Sequence, residues 1–200
     1  MIAFIAAEPF ELAPLERRRS TQDWLCLARG PGFKLAEAAA RQAAAQHPTA
    51  LISVGLCGAL APHLKVGDIV IDDQARQPRT QQNFTSGKII SQDRVAITTA
   101  EKAALALQGI AVEMEAQAVR QVAAQHQIPF YAVKVVSDTA RQQMPLDFNA
   151  HRDADGRFRK SSIALAALLR PWTIPGLIHL RKNAQQAAGK LGEFLVHCEF

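Results

Sequence analysis

Two glutamates flank a methionine in Ala111-Val112-Glu113-Met114-Glu115-Ala116, and an aspartate closes the apolar run Phe130-Tyr131-Ala132-Val133-Lys134-Val135-Val136-Ser137-Asp138. Carboxylates so placed can move protons or accept paired hydrogen bonds from neighbouring hydroxyls. If the first segment is extended, Glu113 and Glu115 share a face, because alternate residues of a strand do. Asp138 falls at the C-terminal end of its strand, the edge at which α/β sheets take small molecules. Lys134, four residues earlier on the same strand face, is expected to position the Asp138 carboxylate, with Ser137 orienting it. Glu8 and Glu11 follow the apolar opening Met1-Ile2-Ala3-Phe4-Ile5-Ala6-Ala7 and arrive at the same edge.

The elements that must position these groups are legible as an alternation. Strand-like runs over 1–7, 23–29, 50–54, 68–71, 111–114 and 130–137 alternate with helical patterns over 33–46 and 115–127. That order predicts an α/β fold with a central, largely parallel sheet covered on both faces. The stretch 74–86 is polar, contains Pro78 and reads as a loop, with Phe84 as its aromatic residue. One glycine turn offers backbone N–H groups to an anion. Arg29-Gly30-Pro31-Gly32 precedes a helix that starts near Phe33, so free N–H groups, the helix dipole and Arg29 can hold negative charge there, although a plain turn satisfies the same pattern.

Beyond Asp138 the character changes. Met144 to Phe148 and the charged stretch 151–160 read as irregular linker, and Ser161 or Ser162 can cap a helix that Pro171 ends. From Pro175, Leu177, Leu180, Ala184, Ala188, Leu191 and Leu195 recur at helical spacing and predict a long amphipathic helix. Leu165, Leu168, Leu169, Trp172, Ile174 and Ile178 lie among Arg157, Arg159, Lys160, Arg170, Arg181 and Lys182, a mixture suited to a membrane surface and equally to a completed core or a dimer interface.

Composition bounds the rest. A chain of 200 residues that is 48% hydrophobic has enough apolar residues for one sizeable core, so one domain is expected over 1–200, with the helical tail from about 161. Cys26, Cys57 and Cys198 are odd in number and lack C-x-x-C spacing, which suggests reduced thiols in the cytoplasm and no structural zinc. The six histidines are scattered without ligand spacing, so no metal is expected. The apolar opening has no basic leader before it and meets Glu8 at once, unlike a signal peptide. A net charge of +5 suits anionic small molecules or anionic lipid surfaces. Nucleic acid is disfavoured, because only 6% of residues are aromatic and none interleave with basic ones.

Taken with Ser53-Val54-Gly55-Leu56-Cys57-Gly58-Ala59-Leu60, the two carboxylate segments resemble the purine nucleoside phosphorylase and methylthioadenosine nucleosidase family over most of the first 140 residues. The short chain and its tail look most like the hopanoid-associated phosphorylases. The resemblance implies a three-layer α/β/α sandwich with a mixed, largely parallel sheet. It also implies cleavage of the N-glycosidic bond of a purine nucleoside, with no cofactor other than phosphate as co-substrate if the reaction is phosphorolysis. By the same resemblance Asp138 donates a proton to the base, and Glu115 accepts from the ribose 2′ and 3′ hydroxyls. Met114 packs against the sugar, Glu113 binds sugar or a water, and Glu11 activates water, with Glu8 as its competitor. Phe84 is the nearest aromatic to replace a base-binding wall that relatives build from a longer segment. The resemblance also implies that Gly55, Cys57 and Gly58 hold phosphate in the turn Gly55-Leu56-Cys57-Gly58, around which family phosphorylases carry arginine and a hydroxyl residue; Ser53 and Leu56 stand there in this chain. Both phosphate and water therefore stay open as nucleophile, and Glu11 favours water. The narrower resemblance implies adenosylhopane as substrate. A general adenosine, methylthioadenosine or S-adenosylhomocysteine nucleosidase and a noncatalytic nucleoside-binding or membrane-peripheral protein are the alternatives. A homodimer or higher oligomer is expected, cytoplasmic and peripheral to the inner membrane face.

Overall fold

The computed structural model describes residues 1–18 and 23–200. Its sheet contains β1 (Ile2–Ala6), β2 (Trp24–Ala28), β3 (Ala50–Ala59), β4 (Ile69–Ile71), β5 (Thr85–Ser86), β6 (Ile89–Ser91), β7 (Ala111–Glu113) and β8 (Phe130–Asp138). The helices are α1 (Pro9–Glu16), α2 (Phe33–Ala44), α3 (Thr99–Leu105), α4 (Ala116–Gln125), α5 (Lys160–Leu169) and α6 (Ile174–Leu195). Neighbours run β2-β1-β3-β8-β4-β5, with β7 on the outer half of β3 and β6 on β7. β2, β1, β3 and β8 are parallel, whereas β4 lies antiparallel to β8 and β7 antiparallel to β3. The sheet is thus mixed and largely parallel, between two helical layers, as the alternation predicts.

The central strands are apolar on both faces because both are covered. Phe4, Ile52, Val54, Tyr131, Val133 and Val135 meet Leu12 and Leu15 of α1 and Ala187, Leu191 and Leu195 of α6. Ala3, Ile5, Leu51 and Ala132 meet α2 and α4 on the other side. The buried stripe of α2 is Ala36, Ala39, Ala40 and Ala43, spaced at helical period, and its small side chains let the helix lie close to the sheet.

Several elements depart from the sequence expectation. α1 starts directly after β1, with Glu8 as N-cap and Pro9 in the first turn. β6 and α3 occupy the stretch before the Glu-Met-Glu motif. α3 is opened by a capping box in which Glu101 N–H donates to Thr98 Oγ1 at 3.1 Å and Thr98 N–H donates to Glu101 Oε2 at 3.0 Å. The segment read as linker is tied down by a 3₁₀ turn over Phe148–His151, with Asn149 N–H donating to Asp147 Oδ1 at 3.0 Å. α5 begins at Lys160, two or three residues earlier than a cap at Ser161 or Ser162 would place it. Ser162 instead lies inside the helix, its hydroxyl 2.8 Å from His151 Nδ1. α5 and α6 meet at a sharp bend of 113°, and no single helix among the described residues is long and apolar enough to cross a membrane.

Candidate active site

β3 and β8 carry the site to the C-terminal edge of the sheet. Their register slips there: Cys57 faces Val136, but Gly58 faces Asp138, so one residue is extra on β8. Such a bulge re-aims side chains locally. It lets Ser137 Oγ donate to Asp138 Oδ1 at 2.7 Å while the same hydroxyl lies 3.2 Å from the Cys57 carbonyl. Asp138 is buried. The reason for a glycine at 58 follows, since a Cβ there would stand 3.0 Å from Asp138 Oδ2.

Gly55 plays the same part for Glu11. Its φ is +124°, a conformation that glycine alone adopts freely, and a Cβ would stand 3.0 Å from Glu11 Oε1. Leu56 N–H donates to Glu11 Oε1 at 3.0 Å, and Glu8 N–H donates to Oε2 at 2.7 Å. The two glycines expected to hold a bound anion each lie against one of the protein's own carboxylates, Gly55 against Glu11 and Gly58 against Asp138. Cys57 lies between them, its thiol pushed far above the ordinary range by burial and by Asp138. Burial also raises the Glu11 carboxyl, against the two backbone N–H groups and Lys134. Of the two candidate glutamates, Glu11 is the buried one, while Glu8 begins the helix.

Lys134 is not beside Asp138. Four strand residues span about 13 Å, and the bulge turns Asp138 away. The ammonium instead lies 2.9 Å from Glu113 Oε2 and 3.5 Å from Glu115 Oε2, with the Val54 carbonyl at 3.1 Å. The expected strand geometry of the two glutamates is also replaced. The chain turns at Glu115 (φ −130°, ψ −38°), which becomes the N-cap of α4. Glu113 Oε2 accepts from the N–H groups of Glu115 at 2.9 Å and Ala116 at 2.8 Å, and its Oε1 takes the Ser91 hydroxyl. With both oxygens engaged by protein donors, Glu113 caps the helix rather than offering a free acceptor to a sugar. Burial raises Glu113, but Lys134 and these donors outweigh it and hold the carboxyl low. Glu115 is pushed up to about 7 by burial, by Glu113 and by Glu11, with Lys134 opposing. The two glutamates keep Lys134 charged against its own burial.

Asp138 has a different cation, one the sequence reading missed. Lys102 of α3 is buried and ion-pairs with Asp138 Oδ2, while its remaining donors reach the carbonyls of Thr139 at 2.8 Å and Gln142 at 3.0 Å. The legible signal was the Thr98-x-x-Glu101 capping box, which announces the helix that carries it.

Other expected residues lie elsewhere. Arg29 Nε donates to Gln42 Oε1 at 3.0 Å on the exposed surface, and Gly30 N–H donates to the Ala7 carbonyl at 2.9 Å. Gly32 N–H donates to Glu115 Oε1 and Phe33 N–H to Asp93 Oδ1, each at 3.3 Å. The N-terminus of α2 is thereby served by internal carboxylates, which corrects the anion-site reading of Arg29, Gly30 and Gly32. Phe84 is half exposed and packs edge-on against Phe194 with centroids 6.3 Å apart, away from the cavity. Arg94, Val95 and Ala96 line the cavity instead. Asn149 grips that loop, accepting from Val95 N–H at 2.8 Å and donating to its carbonyl at 3.0 Å.

These groups share one cavity of about 730 Å³. Glu11, Met114, Glu115, Ser137 and Asp138 line it from the sheet edge, and Phe148, Phe158, Lys160, Ile163, Leu177, Leu180 and Arg181 line it from α5, α6 and the segment before them. No group of three or more His, Cys, Asp or Glu among the described residues could hold a metal ion.

Solved structures that share this architecture include nucleosidases and a futalosine hydrolase. The 5′-methylthioadenosine/S-adenosylhomocysteine nucleosidase of S. pneumoniae, solved with a transition-state inhibitor, superposes with a TM-score of 0.71 at 20% identity, over 98% of this chain and 96% of that one. The corresponding nucleosidase of Neisseria meningitidis gives 0.68 at 20% identity, over 98% and 96%. The futalosine hydrolase of Helicobacter pylori gives 0.68 at 13% identity, over 98% and 95%. The sequence model of the phosphorylase superfamily matches residues 20–89 and 79–170, well over half of the chain. The buried carboxylates at the sheet edge are accordingly those of an enzyme of nucleoside phosphorylase or nucleosidase type, and the chain belongs to the phosphorylase superfamily.

Proposed function

We propose that this enzyme hydrolyses the N-glycosidic bond of a purine nucleoside whose 5′ carbon carries a large apolar group, adenosylhopane being the substrate to which the narrower resemblance points. The observation that carries this reading is the cavity's mixed lining: carboxylates from the sheet edge together with large apolar side chains, and with Lys160 and Arg181, from α5, α6 and the segment before them. A cavity of about 730 Å³ is within the range of sites for ligands larger than a bare nucleoside. In this reading Ser137 and Asp138 face the base, Glu115 accepts from the ribose hydroxyls and Met114 packs on the sugar. Glu11 takes a proton from the attacking water. Water is favoured over phosphate because Glu11 already holds the Leu56 N–H, and an anion at that turn would face its charge.

The outer side of α5 and α6 supports a lipid origin for the substrate. Leu168, Leu169 and Trp172 are 73%, 72% and 74% exposed, beside exposed Lys160, Arg170 and Lys182. An apolar ridge with basic flanks suits an anionic bilayer, from which a lipid-linked nucleoside can enter past α5 and α6.

The test is chromatographic measurement of adenine released from adenosylhopane in detergent, with adenosine and methylthioadenosine in parallel, each with and without phosphate. Preferred release from the lipid nucleoside, unaffected by phosphate and lowered about 10²–10⁴-fold by Glu11→Gln, is the expected result. Strict phosphate dependence would overturn hydrolysis, and turnover of the soluble nucleosides alone would make this a general nucleosidase.

A further inference from the structure

The Lys102–Asp138 pair poses a chemical problem that the reaction has to solve. Adenine departs from C1′ readily only when its ring is protonated, and Asp138 is the acid nearest the expected base position. Yet in the ion pair the proton sits on nitrogen. Asp138 Oδ1 already accepts from Ser137 Oγ at 2.7 Å, and Oδ2 accepts from Lys102. A carboxylate so engaged presents only lone pairs to a purine N7, which is itself an acceptor.

The ammonium is held with equal completeness. Its three donors meet Asp138 Oδ2 and the carbonyls of Thr139 and Gln142, and the side chain is 1% exposed. Carbonyl oxygens cannot keep a proton, so Asp138 is the acceptor through which this ammonium can discharge. A buried ion pair is a weak device for stability, because desolvation offsets its attraction. This one stands on the cavity wall, where the leaving base must sit.

Resting on the nucleoside-cleaving reading, we propose that Lys102 positions Asp138 and is the source of the proton that reaches the departing purine through it. The Lys102 N–H bond breaks as Asp138 takes the proton, and Asp138 passes it to N7 while the C1′–N9 pair of electrons moves into the ring. Water adds its oxygen to C1′ and loses a proton to Glu11. Lys102 is left neutral and Glu11 protonated, and exchange of one proton with solvent restores both.

A tether between α3 and the chain after β8 would account for the same contacts, so the test separates proton delivery from architecture. Lys102→Gln keeps a hydrogen-bond donor for Asp138 but has no proton to give; Lys102→Met removes both. Adenine release from adenosine is compared with nitrophenolate release from p-nitrophenyl β-D-ribofuranoside, whose leaving group needs no proton. Both variants should lower kcat for adenine release at least 100-fold at a KM within about threefold, while nitrophenolate release changes less than about threefold. Equal losses on both substrates, or none on either, overturn the proposal.

Lys102→Met leaves a buried carboxylate unpaired and can lose the fold; thermal melting identifies that outcome, and Lys102→Gln then carries the comparison. If the enzyme releases adenine and the Lys102 variants do so equally fast, only this inference fails; if it releases adenine from no nucleoside, the functional reading itself fails.

Discussion

Lys134 lies between two glutamates that it treats unequally. Glu113 is held low, whereas Glu115 is pushed up to about 7, chiefly by burial. The difference has a stability consequence whose sign is fixed. Between an ordinary 4.5 and about 7, folded Glu115 retains a proton that the unfolded chain has released. Its contribution is complete below 4.5 and is lost as pH rises through 7, on the order of 3 kcal/mol for a shift of this size. Glu11, also raised, acts in the same direction; Glu113 acts oppositely, losing stability as pH falls below the ordinary carboxylate range. The thermal midpoint of the wild type should therefore fall between pH 5 and pH 8. Glu115→Gln should flatten that fall, with its midpoint relative to wild type higher at pH 8 than at pH 5. Scanning calorimetry at the two pH values checks this, and parallel slopes would show that Glu115 is not the titrating group.

Among the elements, β3 and β8 place the carboxylates through a bulge and two glycines. Gly58 lacks a positive φ, so alanine there meets no backbone penalty, only the Asp138 carboxylate at 3.0 Å and Val112 Cγ1 at 3.4 Å. Gly58→Ala should fold with a midpoint within a few degrees of wild type and lose about 10–100-fold in kcat, because small misplacements of a catalytic group cost that much. Circular dichroism and steady-state kinetics test the split; an unchanged kcat would mean that Asp138 tolerates displacement. The bulge also explains why strand periodicity misassigned the cation of Asp138. Alternation carries a face only while the ladder is regular, and one extra residue ends that inference.

For the whole molecule, the bend between α5 and α6 leaves Leu168, Leu169 and Trp172 exposed on helical segments that also contribute side chains to the cavity. If they meet an anionic bilayer, the protein should cosediment with phosphatidylglycerol vesicles and release with rising salt. Trp172 fluorescence should shift to the blue, while buried Trp24 contributes a constant background. Leu168→Ser with Leu169→Ser should weaken vesicle binding at least tenfold, since burying each leucine is worth roughly 1.5–3 kcal/mol. Turnover of adenosine in solution should be unchanged. Vesicle binding insensitive to these substitutions would place the contact elsewhere.

By itself the sequence determined the alternation of strands and helices, the sheet edge at which carboxylates gather and the family to which those motifs belong. These are local properties: periodicity, caps and turn residues act over a few positions. It also placed Glu11, Met114, Glu115, Ser137 and Asp138 at the sheet edge, where they line one cavity. Which cation serves which carboxylate was decided only by the tertiary structure. Lys102 reaches Asp138 across 36 residues and Lys134 reaches Glu113 across the sheet, distances at which no local pattern speaks. The anion turns were likewise undecidable in sequence, because a free N–H and one already taken by Glu11 or Glu115 read identically until the chain folds.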